Sequence, residues 1–270
     1  MIRVAASMVL LLCLAVPAAA APEAELWPRW IPEGQAGDVD HSVWARFLNR
    51  HLSIGGDGIA RIGYGAVDAA SRRSLDAYVE ALTHVDPVGL ARAAAMTYWI
   101  NLYNALTVKV VLDHYPVTSI RDIDISPGLF ANGPWGAKLV RIGGEELSLD
   151  DIEHRILRPI WRDPRVHYAV NCASIGCPNL QAEPFTAGRL DAQLDAAARD
   201  FINHPRGADF TDDGLTVSSI YEWFADDFGG ADEAVIAHLK LYAAPALAAR
   251  LEGVTRIDDD SYDWRLNDIR

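Results

Sequence analysis

The chain has 270 residues, 50% of them hydrophobic and 23% charged, with a formal net charge of −13. That length and apolarity suffice for one sizeable core, which excludes disorder as the default state. The acidic balance argues against a general phosphate-binding surface, so neither nucleic acid nor an anionic membrane is expected as a partner.

Residues 1–21 read as a secretory signal: Arg3 gives a positive start, Val4–Val16 a short apolar run, and Ala18–Ala21 a small-residue cleavage site. Leu12 before Cys13 does not suit a lipid-anchor signal. A cleaved, periplasmic or secreted product is expected, its charge −14 once the +1 of Arg3 is subtracted from −13. No later run approaches the roughly 20 apolar residues of a membrane span, so no membrane insertion is expected. Cleavage would remove Cys13 and leave Cys172 and Cys177, five residues apart, in an oxidising compartment.

Residues 22–36 look like an extended leader, and 37–270 like a single globular domain. Asp40 can cap a first helix whose inner side carries Val43, Trp44, Phe47, Leu48 and His51. Residues 55–58, with three glycines, form a loop, and Ser71–Leu82 suits a second helix packed through Leu75, Tyr78, Val79 and Leu82. Leu90–His114 is the longest helical signal, apolar nearly all round and stopped by Tyr115-Pro116, so it should be a buried central helix. Asn101 and Asn104 interrupt it at i and i+3; buried amides must find partners.

Ala137–Ile142, Gly143-Gly144 and Glu145–Ser148 fit a hairpin with a glycine turn. Leu149–Leu157 reads as a short helix with Asp150 and Asp151 at its positive end and Pro159 closing it. Arg165–Asn171 reads as a strand, and Thr186 as the cap of a helix over Ala187–Asn203. Leu215–Val217 suits a brief strand before a helix opened by Ser218 or Ser219, with Tyr221, Phe224 and Phe228 on its apolar side. Helices are expected over Glu233–Leu241 and Pro245–Leu251, and Tyr262–Asn267 alternates like a terminal strand. The sum is an α+β fold, mainly helical, packed on a small and mostly antiparallel sheet.

The blocks Tyr98–Thr107, Leu149–Arg158, Asp163–Pro178 and Tyr221–Phe228 resemble the family known as domain of unknown function 547. The resemblance implies an exported bacterial protein. Because some family members are joined to glutaredoxin-like domains, it also hints at thiol or glutathione chemistry. Function must still be argued from the site.

The residue types of a cysteine nucleophile lie close together in Val166–Leu180. Cys172 stands at the expected strand end before Ala173-Ser174, where turn N–H groups could form an oxyanion hole, and is preferred over Cys177, which precedes Pro178. His167 lies five residues before Cys172, so a regular strand would put the two on opposite faces. His154, on the preceding helix, is the rival base. Glu153 is the candidate for orienting His167. Asn101, Asn104, Asn171, Ser174 and Arg158 are candidate substrate contacts; for Asn101 and Asn104 the alternative is to satisfy neighbouring backbone groups, and for Arg158 and Arg165 it is an ion pair with Asp151 or Asp163. Trp99, Trp223 and Trp264 look like core aromatics. The expected roles resemble those of papain-like or transglutaminase-like enzymes: a cysteine-dependent amide or thioester hydrolase, or acyl transferase, acting on a peptide or glutathione-like small molecule. One alternative is a binding or scaffold module stapled by a Cys172–Cys177 disulfide; another is a thiol–disulfide redox protein. No cofactor is expected, and the cysteine and histidine spacings match no familiar zinc pattern.

Overall fold

The structure is a computed structural model that describes residues 22–35, 37–128 and 132–269; the expected signal, residues 1–21, lies outside them. It is an α+β fold in which helices dominate. Helix α1 (Ser42–His51) starts where Asp40 accepts the Ser42 N–H at 2.8 Å, and it buries Trp44, Phe47, Leu48 and His51. Helix α2 (Ala69–Thr83) is capped three residues earlier than Ser71, by Asp68, which accepts the Ser71 N–H at 2.7 Å. Helix α3 (Arg92–His114) is buried along most of its length, as its largely apolar surface requires, with α2 packed along it and α1 side chains in the same apolar cluster.

Strands β1 (Leu52–Ile54) and β2 (Ala60–Ile62) form one antiparallel pair, and β3 (Val140–Ile142) and β4 (Glu145–Leu147) another. Gly143 and Gly144 make the two-residue turn of the second pair with φ of 54° and 89°, the left-handed values such a hairpin needs at both central positions. The small sheet expected from the sequence is thus divided. A third sheet joins β5 (Ala208–Thr211), β6 (Gly214–Ser218) and β7 (Asp259–Ser261), with β6 and β7 parallel. Tyr262–Asn267 is not a strand; it runs beside the cysteine loop, joined to it by an isolated bridge of Ser174 with Leu266 and by backbone hydrogen bonds of Ile175 and Gly176 to the Arg265 and Asp263 carbonyls and of Asn267 to the Ala173 carbonyl.

Two further differences shape the site. Residues Asp151–Leu157 form a π-helical segment that continues through Pro159 into α4 (Arg158–Trp161), so the proline does not close the helix. In π spacing the His154 carbonyl would need the N–H of residue 159, which proline lacks. The leader supplies the missing donors: Glu25 N–H binds the His154 carbonyl and Trp27 N–H the Arg155 carbonyl, both at 3.0 Å. The second difference is that the expected strand at Arg165–Asn171 begins as a short helix, α5 (Val166–Ala169). Asp163-Pro164 starts a turn, Asp163 accepting the Arg165 N–H at 2.9 Å, and the turn carries on for one helical repeat before Val170 extends.

Helix α6 (Leu190–Ile202) follows a 3₁₀ turn at Ala187–Arg189; Thr186 stands at the start of that turn without capping it through its side chain, and its own N–H is accepted by Gln193 at 2.9 Å. Helices α7 (Ile220–Trp223), α8 (Asp232–Tyr242) and α9 (Pro245–Arg250) complete the chain, with a 3₁₀ turn at Ala225–Phe228 between α7 and α8. The apolar interior falls into two clusters, one around α3 and one around α6, β5, β6 and α8. Helix α5 joins them: Val166 and Ala169 belong to the first and Tyr168 to the second. The cysteine loop leaves α5 at this seam. No helix among the described residues is long and apolar enough to cross a membrane.

Candidate active site

The loop from Val170 to Leu180 is held by amides and a guanidinium. Asn104 on α3 donates to the Ala169 carbonyl at 2.9 Å and accepts the Asn171 N–H at 2.8 Å. Asn101, one turn earlier, does the same for both backbone groups of Phe185, at 2.8 and 3.1 Å. Asn171 closes the turn itself, accepting the Ala173 N–H at 2.9 Å and donating to the Pro178 carbonyl at 2.7 Å. These three residues hold the backbone, the structural alternative that buried amides offer. Ala173 takes a φ of 58°, an uncommon value for a residue with a Cβ, directly after the partly exposed Cys172. Arg206 reaches in after α6 to bind the carbonyls of Ile175 and Cys177 at 2.8 and 2.7 Å.

The C-terminal segment lies against the far side of this loop. Gly176 N–H bonds the Asp263 carbonyl at 2.8 Å, and a Cβ on Gly176 would stand 2.6 Å from the Asp263 nitrogen, so the close approach needs glycine. That approach brings Tyr262 to the thiol. The Cys172 sulfur lies 2.9 Å from the Tyr262 hydroxyl and 3.1 Å from that of Ser174, and the two hydroxyls are 2.8 Å apart. The Cys172 N–H donates to the Cys177 sulfur at 3.1 Å.

Both cysteines are free thiols, Cys172 partly exposed and Cys177 buried. They are tuned in opposite directions. A hydrogen bond from Cys177, joined by those of Ser174 and Tyr262, outweighs burial and the charge of Glu153 and lowers the Cys172 thiol below its ordinary range. Burial and the neighbouring Cys172 raise Cys177 well above it. Burial likewise raises the Tyr262 phenol, which keeps its proton and remains a donor. Around Tyr262, half-buried Trp223 and Trp264 pack at 4.8 and 4.7 Å between ring centres, so these two tryptophans border the site, and only Trp99 of the three expected core tryptophans is fully buried.

The histidines belong to a charged cluster next to the thiols. His167 on α5 bonds Asp227 at 2.7 Å through Nε2, and its Nδ1 faces Glu153 at 3.8 Å. Arg158 binds the same Asp227 oxygen at 2.5 Å and donates to His154 Nδ1 at 3.0 Å. The His154 Nε2 faces Asp150 at 3.6 Å. Burial, with the charge of Arg158 beside it, lowers His154 to about 4 and keeps it neutral. For Asp227 burial acts upward, but the hydrogen bonds from His167 and Arg158 prevail and hold it at about 2. Phe224 lies against His154, His167 and Arg158 and shields the cluster.

Neither imidazole bonds the Cys172 sulfur. Glu153 comes nearest to linking cluster and thiols: its charge helps raise the buried Tyr103 phenol and bears on Cys172. Arg158 is ion-paired, with Asp227 instead of the expected Asp151; Arg165 pairs with Asp163 as expected. Ser174 is the one expected substrate contact that lies on the sulfur. Tyr262, Asp227, Tyr103 and Arg206 have no place among the sequence-derived candidates. Asp227 lies in one of the blocks that carry the family resemblance, and Tyr262 opens the alternating C-terminal run, so the signal for each was its neighbourhood. Among the described residues no three His, Cys, Asp or Glu side chains gather as a metal-ligand set. Two surface grooves of about 640 and 680 Å³ flank α1, and neither is lined by a cysteine.

Residues 87–202 match the model of a family described as a protein of unknown function, DUF547. The match runs from just before α3 to the end of α6 and takes in both thiols, Glu153, both histidines and Arg158, leaving Asp227 and Tyr262 outside it. No curated protein and no solved structure matches the chain.

Proposed function

We propose that this chain, whose residues 87–202 belong to the DUF547 family, performs thiol–disulfide exchange, with Cys172 as the attacking thiolate and Cys177 as the resolving thiol. The observation that carries this reading is the placement of two free thiols side by side, Cys172 partly exposed and Cys177 buried with its sulfur accepting the Cys172 N–H at 3.1 Å; hydrogen bonds pull the first thiol down and burial pushes the second up. Exchange needs a thiolate and a partner thiol within reach, and no separate base on the sulfur. Cys172 attacks one sulfur of a substrate disulfide and the other sulfur leaves as thiolate. Cys177 then attacks the Cys172 sulfur of the mixed disulfide, its proton passes to the departing thiolate, and a Cys172–Cys177 bond remains. A second dithiol reverses the sequence. An exported location, expected from residues 1–21, would supply the substrate disulfides.

Acyl transfer is the second reading. It is favoured by Glu153, a buried carboxylate that bears on Cys172 and lies 3.8 Å from His167. It also needs an imidazole on the sulfur and free N–H donors, and here the N–H groups of Cys172 and Ala173 are spent on Cys177 and Asn171. The two readings separate on trapped intermediates. The Cys177→Ser variant, mixed with an oxidised small-molecule disulfide, should accumulate a mixed disulfide on Cys172 visible by intact mass, and the wild-type pair should equilibrate at a potential above about −300 mV. A pair far more reducing than that would be a structural staple. Cys172-dependent thioester hydrolysis without any trapped mixed disulfide would replace exchange with acyl transfer.

A further inference from the structure

We propose that the same site reduces small hydroperoxides, with Cys172 taking the peroxide oxygen and the hydroxyls of Tyr262 and Ser174 donating to the oxygen that leaves. The proposal rests on Cys172 acting as a nucleophilic thiolate and goes beyond exchange by naming the oxidant.

Two hydroxyls converge on one sulfur, at 2.9 and 3.1 Å, and lie 2.8 Å from each other, so their two protons are shared among three contacts and either can turn to a new acceptor beside the sulfur. In disulfide exchange they stabilise the attacking thiolate but give the leaving group nothing it needs, because a thiolate departs without a proton. Cleavage of an O–O bond expels hydroxide or alkoxide, a far stronger base, so hydrogen-bond donors held beside the nucleophile act on the charge as it develops. They are held firmly. Ser174 is buried and Tyr262 is fixed by the backbone bond of Gly176 to its neighbour Asp263. Donors that need not reorganise during the reaction are the kind that lower a barrier.

The step balances as follows. The Cys172 thiolate attacks the terminal oxygen of ROOH; an S–O bond forms, the O–O bond breaks, and RO⁻ takes the proton of the Tyr262 hydroxyl, which is restored from water. Sulfur is oxidised by two electrons to the sulfenic acid and the peroxide is reduced to ROH. The Cys177 thiol then displaces the sulfenic oxygen as water and leaves the Cys172–Cys177 disulfide. An external dithiol returns the pair to thiols by the exchange proposed above. Cys177, whose sulfur accepts the Cys172 N–H, is close enough to trap the sulfenic acid before it oxidises further.

The test follows oxidation of the fully reduced protein by hydrogen peroxide and by tert-butyl hydroperoxide, alongside exchange with an aromatic disulfide. Oxidation should run at least about a hundredfold faster than that of free cysteine compared at equal thiolate, and the Cys177→Ser variant should yield a dimedone adduct on Cys172. Tyr262→Phe and Ser174→Ala should each slow peroxide oxidation by about tenfold or more while exchange changes only a few-fold. Ser174→Ala serves as the second variant should Tyr262→Phe lose its fold by circular dichroism. Fast exchange with peroxide oxidation no faster than free cysteine overturns this inference and leaves the exchange reading standing. Equal loss of both rates in the two hydroxyl variants also overturns it. Failure of both reactions in the wild type overturns the two proposals together.

Discussion

At the scale of single residues, the site depends on amides spent on the backbone. Asn104 was legible as a polar interruption of an apolar helix, but its partners lie 65 and 67 residues away and no local pattern could name them. Its replacement by alanine would leave a buried carbonyl and a buried N–H unpaired, each costing about 1–3 kcal/mol. Asn104→Ala should lower stability to urea by about 2–4 kcal/mol and loosen the loop that carries Cys172, read as a changed alkylation rate of that thiol. Unchanged stability would mean that the loop finds other partners. His167 teaches the converse. The sequence offered it as a base for Cys172, yet both its ring nitrogens face carboxylates, because a one-turn helix started by Asp163-Pro164 aims the ring away from the sulfur.

At the scale of elements, the segment from Asp151 to Trp161 and the 3₁₀ turn at Ala225–Phe228 are joined by Asp227 with Arg158 and His167. Arg158 and His167 are both buried, so removing the carboxylate leaves charge and donors without a partner. Asp227→Ala should cost about 3 kcal/mol in equilibrium unfolding, and adding Arg158→Met should recover part of it, since the buried charge then goes too. A double variant no more stable than Asp227→Ala alone would mean that Arg158 is satisfied without the carboxylate. Helix existence was readable here from the 3.6-residue pattern, but the end at Pro159 was not. The leader decides it: Glu25 and Trp27 supply donors to the carbonyls of His154 and Arg155, and Trp27 packs under the Arg155 guanidinium at 4.3 Å.

At the scale of the whole molecule, three buried histidines share one property. Burial lowers His41, His154 and His238 to about 4 each, so the fold holds them neutral while the unfolded chain protonates them near 6.5. Their contribution is fully present above pH 6.5 and is lost as pH falls from about 6.5 to about 4, because the unfolded state then binds protons that the folded state refuses. The urea midpoint should therefore drop steeply between pH 7 and pH 4.5, and His238→Gln should make that drop shallower. Asp227 acts in a separate, more acidic window, its contribution lost as pH falls from its ordinary 3.8 through about 2. A flat profile between pH 7 and 4.5 would mean that these histidines titrate freely in the folded protein.

By itself the sequence determined the helices, since hydrophobic period, capping residues and glycine turns are local properties: α1, α2, α3, α6, α8, α9 and the β3–β4 hairpin all fall where residue spacing put them, give or take a few positions. It also located the thiols that matter. Only the tertiary structure decided what surrounds them. Tyr262 reaches Cys172 across 90 residues and Asp227 reaches His167 across 60, by packing and close backbone approach that leave no periodic trace. Side-chain partnership over such separations is set by how two cores meet at α5, and that meeting turned an expected cysteine–histidine pair into two neighbouring clusters, one of thiols and hydroxyls and one of ion pairs.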